Sequence, residues 1–96
     1  MVTTIEQIKE KIEPILRDSD VSYCAIFGSF ARGEANDKSD VDLLVRFNKT
    51  PGLFAFCGLQ DKLEKQVGRK VDLATERALH PSLKESILKD LQIIYG

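Results

Sequence analysis

The segment Asp40-Val41-Asp42 sets two carboxylates at i and i+2 at the head of an apolar run, Val41 to Phe47. In an extended chain that spacing turns both toward one face, a few ångströms apart. Like charges at such a distance repel. A divalent cation between them relieves the repulsion, and an all-oxygen donor set selects Mg²⁺ or Mn²⁺. Asp72, in a separate apolar run, is the natural third ligand. The plain alternative is that Asp40 caps a turn beside Ser39 and Asp42 faces solvent at a sheet edge, the usual fate of a lone Asp-x-Asp. A second feature shifts the balance, because the run Val21 to Phe27 ends at Gly28-Ser29. A glycine after a strand lets the backbone approach a phosphate, and a serine opening a helical turn offers it a hydroxyl and free N–H groups. Metal ligands and phosphate donors then converge on one pocket.

These residues need a sheet to hold them. Val21 to Phe27, rich in Val, Tyr, Ile and Phe, reads as a buried strand. Val41 to Phe47 reads as a second, with Asp40, Asp42 and Leu44 on one face and Val41, Leu43 and Val45 on the other. Arg69 to Ala74 supplies a third, in which Asp72 shares a face with Lys70 and Ala74. Between the first two strands the polar stretch with Gly33, Asn36, Asp37, Lys38 and Ser39 is a loop that opens with a helical turn near Ser29 to Arg32. Helical spacing of Ile5, Ile8, Ile12, Ile15 and Leu16 predicts an amphipathic first helix, with Thr3 and Glu6 as a capping box and Pro14 kinking or splitting it. Thr50 as N-cap and Pro51 as first helical residue predict a second helix, with Leu53, Phe56, Leu59, Leu63 and Val67 on its buried side and Gly68 as its C-cap. After a break at His80-Pro81 come a helix carrying Leu83, Ile87 and Leu88 and a last apolar piece, Leu91 to Tyr95. The alternation predicts an α/β (α+β) fold, a small mixed sheet packed with helices, whose strand order the pattern leaves open.

Bulk properties narrow the function. Ninety-six residues, 43% apolar and 30% charged, make one globular domain, residues 1–96, expected to be complete as it stands. A net charge of -1 argues against general nucleic-acid binding. Arg32, Lys38, Arg69 and Lys70 could still serve a smaller polyanion such as a triphosphate, while for Arg32 a solvated turn position is an equal reading. Cys24 and Cys57 lie far apart among apolar neighbours, which fits buried reduced thiols and a cytoplasmic setting. No membrane span or secretory leader is visible. His80, the single histidine, reads as a cap or packing residue. Phe54 and Phe56 could line a base pocket, but their helical stripe reads as core, and Tyr23 and Tyr95 as ordinary strand residues.

Gly28-Ser29-Phe30-Ala31-Arg32-Gly33, followed by Ser39-Asp40-Val41-Asp42-Leu43-Leu44-Val45, resembles the signature of the DNA polymerase β-like nucleotidyltransferase superfamily: Gly-Ser, a ten-residue spacer, Asp-x-Asp. The spacer here is Phe30 to Ser39. Lys70-Val71-Asp72-Leu73 looks like the strand that brings the third acidic residue. Leu79-His80-Pro81 through Tyr95 is similar to the end of the minimal nucleotidyltransferases, the antitoxin partners of HEPN-domain toxins. The resemblance implies the nucleotidyltransferase fold and a metal-assisted transfer of AMP from ATP. By the same resemblance Asp40, Asp42 and Asp72 are catalytic and hold Mg²⁺ or Mn²⁺, Gly28 and Ser29 bind the β- and γ-phosphates, and Arg32 neutralises the departing pyrophosphate. So small a chain has no room for an acceptor-gripping domain. A partner is therefore expected to supply the acceptor surface, and the antitoxin resemblance implies that the acceptor is a hydroxyl, a tyrosine above all, of a HEPN-domain toxin that the transfer silences. Two alternatives stand beside this: a non-catalytic antitoxin that occludes its toxin by contact, and a transferase acting on a small molecule.

Overall fold

A computed structural model describes residues 4–36, 38–76 and 79–96. Among these residues three helices and four strands follow one another: α1 (Ile5–Asp18), β1 (Val21–Phe27), β2 (Val41–Phe47), α2 (Leu53–Val67), β3 (Val71–Thr75), α3 (Pro81–Asp90) and β4 (Gln92–Tyr95). The strands form one sheet in the order β3-β2-β1-β4. β1 runs antiparallel to both β2 and β4, whereas β2 and β3 are parallel. The parallel pair follows from α2, a helical crossover that carries the chain back to the start of the sheet before β3 begins. This is the small mixed sheet expected from the alternation of elements.

The core lies between one face of the sheet and two helices. Ile8, Ile12 and Leu16 of α1, and Leu59, Leu63 and Val67 of α2, pack with Val41, Leu43 and Val45 of β2 and with Val71 of β3. α1 lies against β1 and β4, and α2 against β3. Strand alternation then sends Asp42, Leu44 and Arg46 to the opposite face, as the period of two requires.

Several local expectations are corrected. The first helix is capped by Thr4, whose hydroxyl accepts the Gln7 N–H while the Gln7 side chain accepts the Thr4 N–H. Thr3 lies outside the described residues, as does Asp37 of the loop. α1 runs unbroken through Pro14, whose exposed position leaves the Glu10 carbonyl on the watered side of the helix, where solvent replaces the missing donor. α2 begins two residues later than Thr50 and Pro51 imply, with Gly52 as its N-cap and no side-chain cap. Leu53 is consequently on the first, outward turn and is 75% exposed. Cys57 is exposed, although Cys24 is buried, because Cys57 sits about 200° around the helix from Leu59. The third strand starts at Val71, after Arg69 and Lys70 have served as its approach. Gly68 closes α2 in the left-handed conformation, its N–H bonded to the Glu64 carbonyl. His80 is the N-cap of α3, with Ser82 N–H donating to its ring.

Candidate active site

The carboxylates meet because of strand register. In the parallel ladder Asp42 pairs directly with Asp72, so two acidic side chains stand side by side on one face of adjacent strands, where cross-strand neighbours are in contact. On its other flank Asp42 faces Phe27, the last residue of β1. Asp40 stands just ahead of β2, and its charge reaches Asp42.

Gly28 follows Phe27 with φ +74°, and a Cβ placed there would collide with Asp42 Oδ2 and crowd its Cγ at 3.1 Å. The glycine is thus required twice, for a left-handed turn and for the space that the Asp42 carboxylate occupies. Sequence reasoning assigned this residue the approach of a phosphate; the structure adds that it seats a carboxylate. A helical turn follows, with Arg32 N–H donating to the Gly28 carbonyl at 3.1 Å and Glu34 N–H to the Ser29 carbonyl at 2.8 Å. This is the turn expected from Ser29 to Arg32.

The electrostatics are those of an uncompensated acidic cluster. The Asp42 carboxyl is pushed up to about 6, first by burial, then by the charge of Asp72, a hydrogen bond with Asp72 and the charge of Asp40, while Arg32 pulls it down. A raised Asp42 pKa is the response of a carboxyl to burial and to like charges beside it. A divalent cation relieves that repulsion, and the oxygen-only donors at the cradle opened by Gly28 fit a hard cation. Among the described residues, no three acidic, thiol or imidazole groups are already gathered around a common point as a metal cage. Asp42 and Asp72 are the joined pair, and Asp40 stands beside them.

The basic residues take different places. Arg32 is paired with Glu34 at 3.0 Å on the surface, with its charge still felt by Asp42. Arg69 is turned into the fold: its Nη1 donates to the carbonyls of Asn36 at 2.7 Å and Ser39 at 3.1 Å, and its guanidinium lies over the Phe30 ring. Arg69 therefore anchors the loop through Nη1 and the Phe30 ring. Lys38 and Lys70 are exposed. A cleft of about 620 Å³ lies at the far ends of β2 and β3, lined by Val45 to Phe47, Phe56 and Leu73 to Glu76. None of the three aspartates lines it. Phe56 is at this cleft and tilted against Phe47, whereas Phe54 is 92% exposed, which corrects the expectation that the helical stripe buries both.

A strand followed by Gly-Ser, a turn, and a parallel strand pair bearing in-register aspartates make up the candidate site. The chain belongs to the nucleotidyltransferase domain family, which matches residues 5–94, and is an enzyme whose donor substrate is a nucleotide. A Methanocaldococcus jannaschii relative named as a candidate protein adenylyltransferase is 42% identical over 86 residues, covering 90% of this chain and 92% of the relative. The protein adenylyltransferase MntA of Thermococcus cleftensis is 39% identical over 71 residues, covering 74% of this chain and 72% of that protein. A crystal structure of a toxin–antitoxin with AMP-PNP superposes with a TM-score of 0.79 at 27% identity, over 92% of this chain and 73% of that one. Among the described residues, no helix is long and apolar enough to cross a membrane.

Proposed function

We propose that the chain, acting as one domain in the cytoplasm, moves AMP from ATP to a hydroxyl, a tyrosine above all, of a partner HEPN-domain toxin and so serves as its antitoxin. The observation that carries the reading is the Asp42 and Asp72 pair, aligned by the β2 and β3 register and seated against Gly28. The names of the relatives support an adenylyl donor. The toxin–antitoxin neighbour with its ATP analogue supports both the nucleotide and the class of partner.

Asp40, Asp42 and Asp72 would hold Mg²⁺ or, less favoured, Mn²⁺, which supplies charge neutralisation on the triphosphate and lowers the barrier to loss of pyrophosphate. The chain's own residues do the rest. Gly28 and Ser29 would hold the β- and γ-phosphates at the start of the turn, through backbone N–H groups and the Ser29 hydroxyl. Arg32, whose charge reaches Asp42, offsets negative charge on the leaving pyrophosphate. Asp72, on the edge strand β3, faces the incoming acceptor. The acceptor oxygen attacks the α-phosphorus, the bond from that phosphorus to the bridging oxygen breaks, pyrophosphate leaves, and the hydroxyl proton passes to the Asp72 carboxylate.

The test is to incubate the purified chain with Mg²⁺, ATP and the product of the adjacent gene, and weigh the intact partner. A gain of AMP, absent with Asp42→Ala, is the expected result. A tight complex with no gain in mass would overturn transfer in favour of occlusion, a reading supported by Leu83 (57% exposed) and Ile93 (61%), apolar side chains available for contact. Gain of AMP on a small hydroxyl compound instead would point to the other class of acceptor.

A further inference from the structure

The segment preceding β3 is tied to both halves of the site. Lys70 accepts Val41 N–H at 2.9 Å, at the head of β2. Arg69 reaches further. Its Nη1 donates to the carbonyls of Asn36 and Ser39, and its guanidinium lies 5.2 Å from the centroid of Phe30. Ser39 is the neighbour of Asp40, and Phe30 is the neighbour of Ser29. Phe30 is buried and belongs to the core cluster, so it is a fixed platform. The loop closes on itself at the same place: Ser39 N–H donates to the Asn36 carbonyl at 3.1 Å, and Asn36 N–H to the Ser39 hydroxyl at 2.8 Å.

One side chain thus touches the neighbours of Ser29 and Asp40 while its own backbone leads into Asp72. Phosphate-binding and metal-binding residues come from different elements, and their spacing across a loop has to be held by something rigid. A planar guanidinium can stack on a ring and at the same time donate in its plane to carbonyls at the edge; an ammonium cannot do both. We propose that Arg69 is a positioning residue of the transfer site, which sets the separation of Ser29 and Asp40 relative to Asp72 by clamping Phe30, Asn36 and Ser39 together. It acts through these neighbours and not on the phosphates. The inference rests on the proposed reading of the site, since a clamp matters for catalysis only if those three residues act together.

Arg69→Lys and Arg69→Met are the test variants, with Ile12→Val as a control that lowers stability from the core without touching the loop. The first measurement is hydrogen exchange on the full chain without nucleotide. Faster exchange confined to residues 29–40 in both Arg69 variants, absent in Ile12→Val, is expected. The second is binding of an ATP analogue with Mg²⁺ by calorimetry, together with kcat and KM for AMP transfer to the toxin. Misplacement of reacting groups by about 1 Å costs roughly 10²-fold in rate. Arg69→Met should therefore lower kcat by about that factor at a temperature where it is fully folded, with Arg69→Lys intermediate. Unchanged kcat and analogue affinity in folded Arg69→Met would overturn the proposal, whatever happens to the melting temperature. A wild-type chain that binds the analogue but transfers nothing would break the adenylyltransferase reading, and loss of analogue affinity in Arg69→Met would then still uphold the clamp. Equal affinity in both chains would overturn it.

Discussion

Two lateral pairs on this side of the sheet behave in opposite ways. Asp42 of β2 stands beside Asp72 of β3, and four residues further on Arg46, still in β2, is joined to Glu76, the residue that follows β3. Alternation puts Asp42, Asp72 and Arg46 on one face. At the Arg46 end every charge has its complement: the guanidinium bonds Glu76 through Nε and Nη2, and stacks on Tyr23 at 4.6 Å from the ring centroid. The Glu76 hydrogen bond and charge push Arg46 above its ordinary value, so the guanidinium is held in its charged form. At the Asp42 end burial and then the charges of Asp72 and Asp40 push the carboxyl up to about 6, so its charged form is held at a cost that no protein cation offsets fully. One pair is a finished structural contact, and the other is a contact that needs a ligand to be complete. Perturbation of that second kind, beside a glycine cradle, marks a functional site.

The sharpest way to break this comparison is Asp42→Ala. Transfer should fall by at least roughly 10²–10³-fold, the scale of losing one group that stabilises developing charge, as read by the intact mass of the acceptor. Loss of activity no greater than that of Glu76→Gln would erase the distinction between the two ends.

Next in size is Gly28→Ala. A side chain at φ +74° costs about 1 kcal/mol, and the displaced Asp42 carboxylate adds to that. The melting temperature should drop by about 4–8 °C for each kcal/mol, and transfer should be lost along with it. An alanine variant that melts and works like the parent would show that the carboxylate does not need this space.

A smaller effect concerns pH. The folded chain holds the Asp42 proton to about 6 against the ordinary 3.8, so folding takes up protons over that range. The contribution of this group to stability is full below about pH 4 and is lost as pH rises through 6. Metal-free chain should accordingly melt higher at pH 5 than at pH 7.5, once compared with Asp42→Asn, in which this difference disappears. At neutral pH Asp42→Asn should melt a few degrees higher than wild type, since it removes the repulsion. Saturating Mg²⁺ should raise the wild type and leave the asparagine variant nearly unmoved. Partial exposure of the carboxyl keeps all these shifts modest.

The smallest effect is expected at the opposite end. Glu76→Gln should move the melting temperature by no more than about 2 °C, because the pair is exposed and screened, with transfer unchanged. A large loss of activity there would mean that the apolar cleft beside Arg46 and Glu76 belongs to the acceptor site.

Much of this arrangement can be read from the chain. The spacing of Asp40 and Asp42, the glycine at the end of β1, the apolar periodicities and the C-cap at Gly68 are all local patterns, and local patterns act through backbone sterics and side-chain alternation that a linear sequence carries. For the same reason the helix ends were the weaker points. Thr4 in place of Thr3, and Gly52 in place of Thr50, are choices among neighbouring caps of similar strength, decided by where the helix must meet the sheet. The exposure of Leu53 and Cys57 likewise depended on which turn of α2 reached the core.

By itself the sequence determined the elements, the candidate residues for phosphate and metal, and the family to which the chain belongs. Only the tertiary structure decided that Asp42 lies level with Asp72, that Gly28 makes room for a carboxylate, and that Arg69 faces inward to the loop. Those three facts are relations between segments far apart in the chain. Strand order, parallel register and the direction of a long side chain are set by how the whole core packs, and no pattern within one segment contains them.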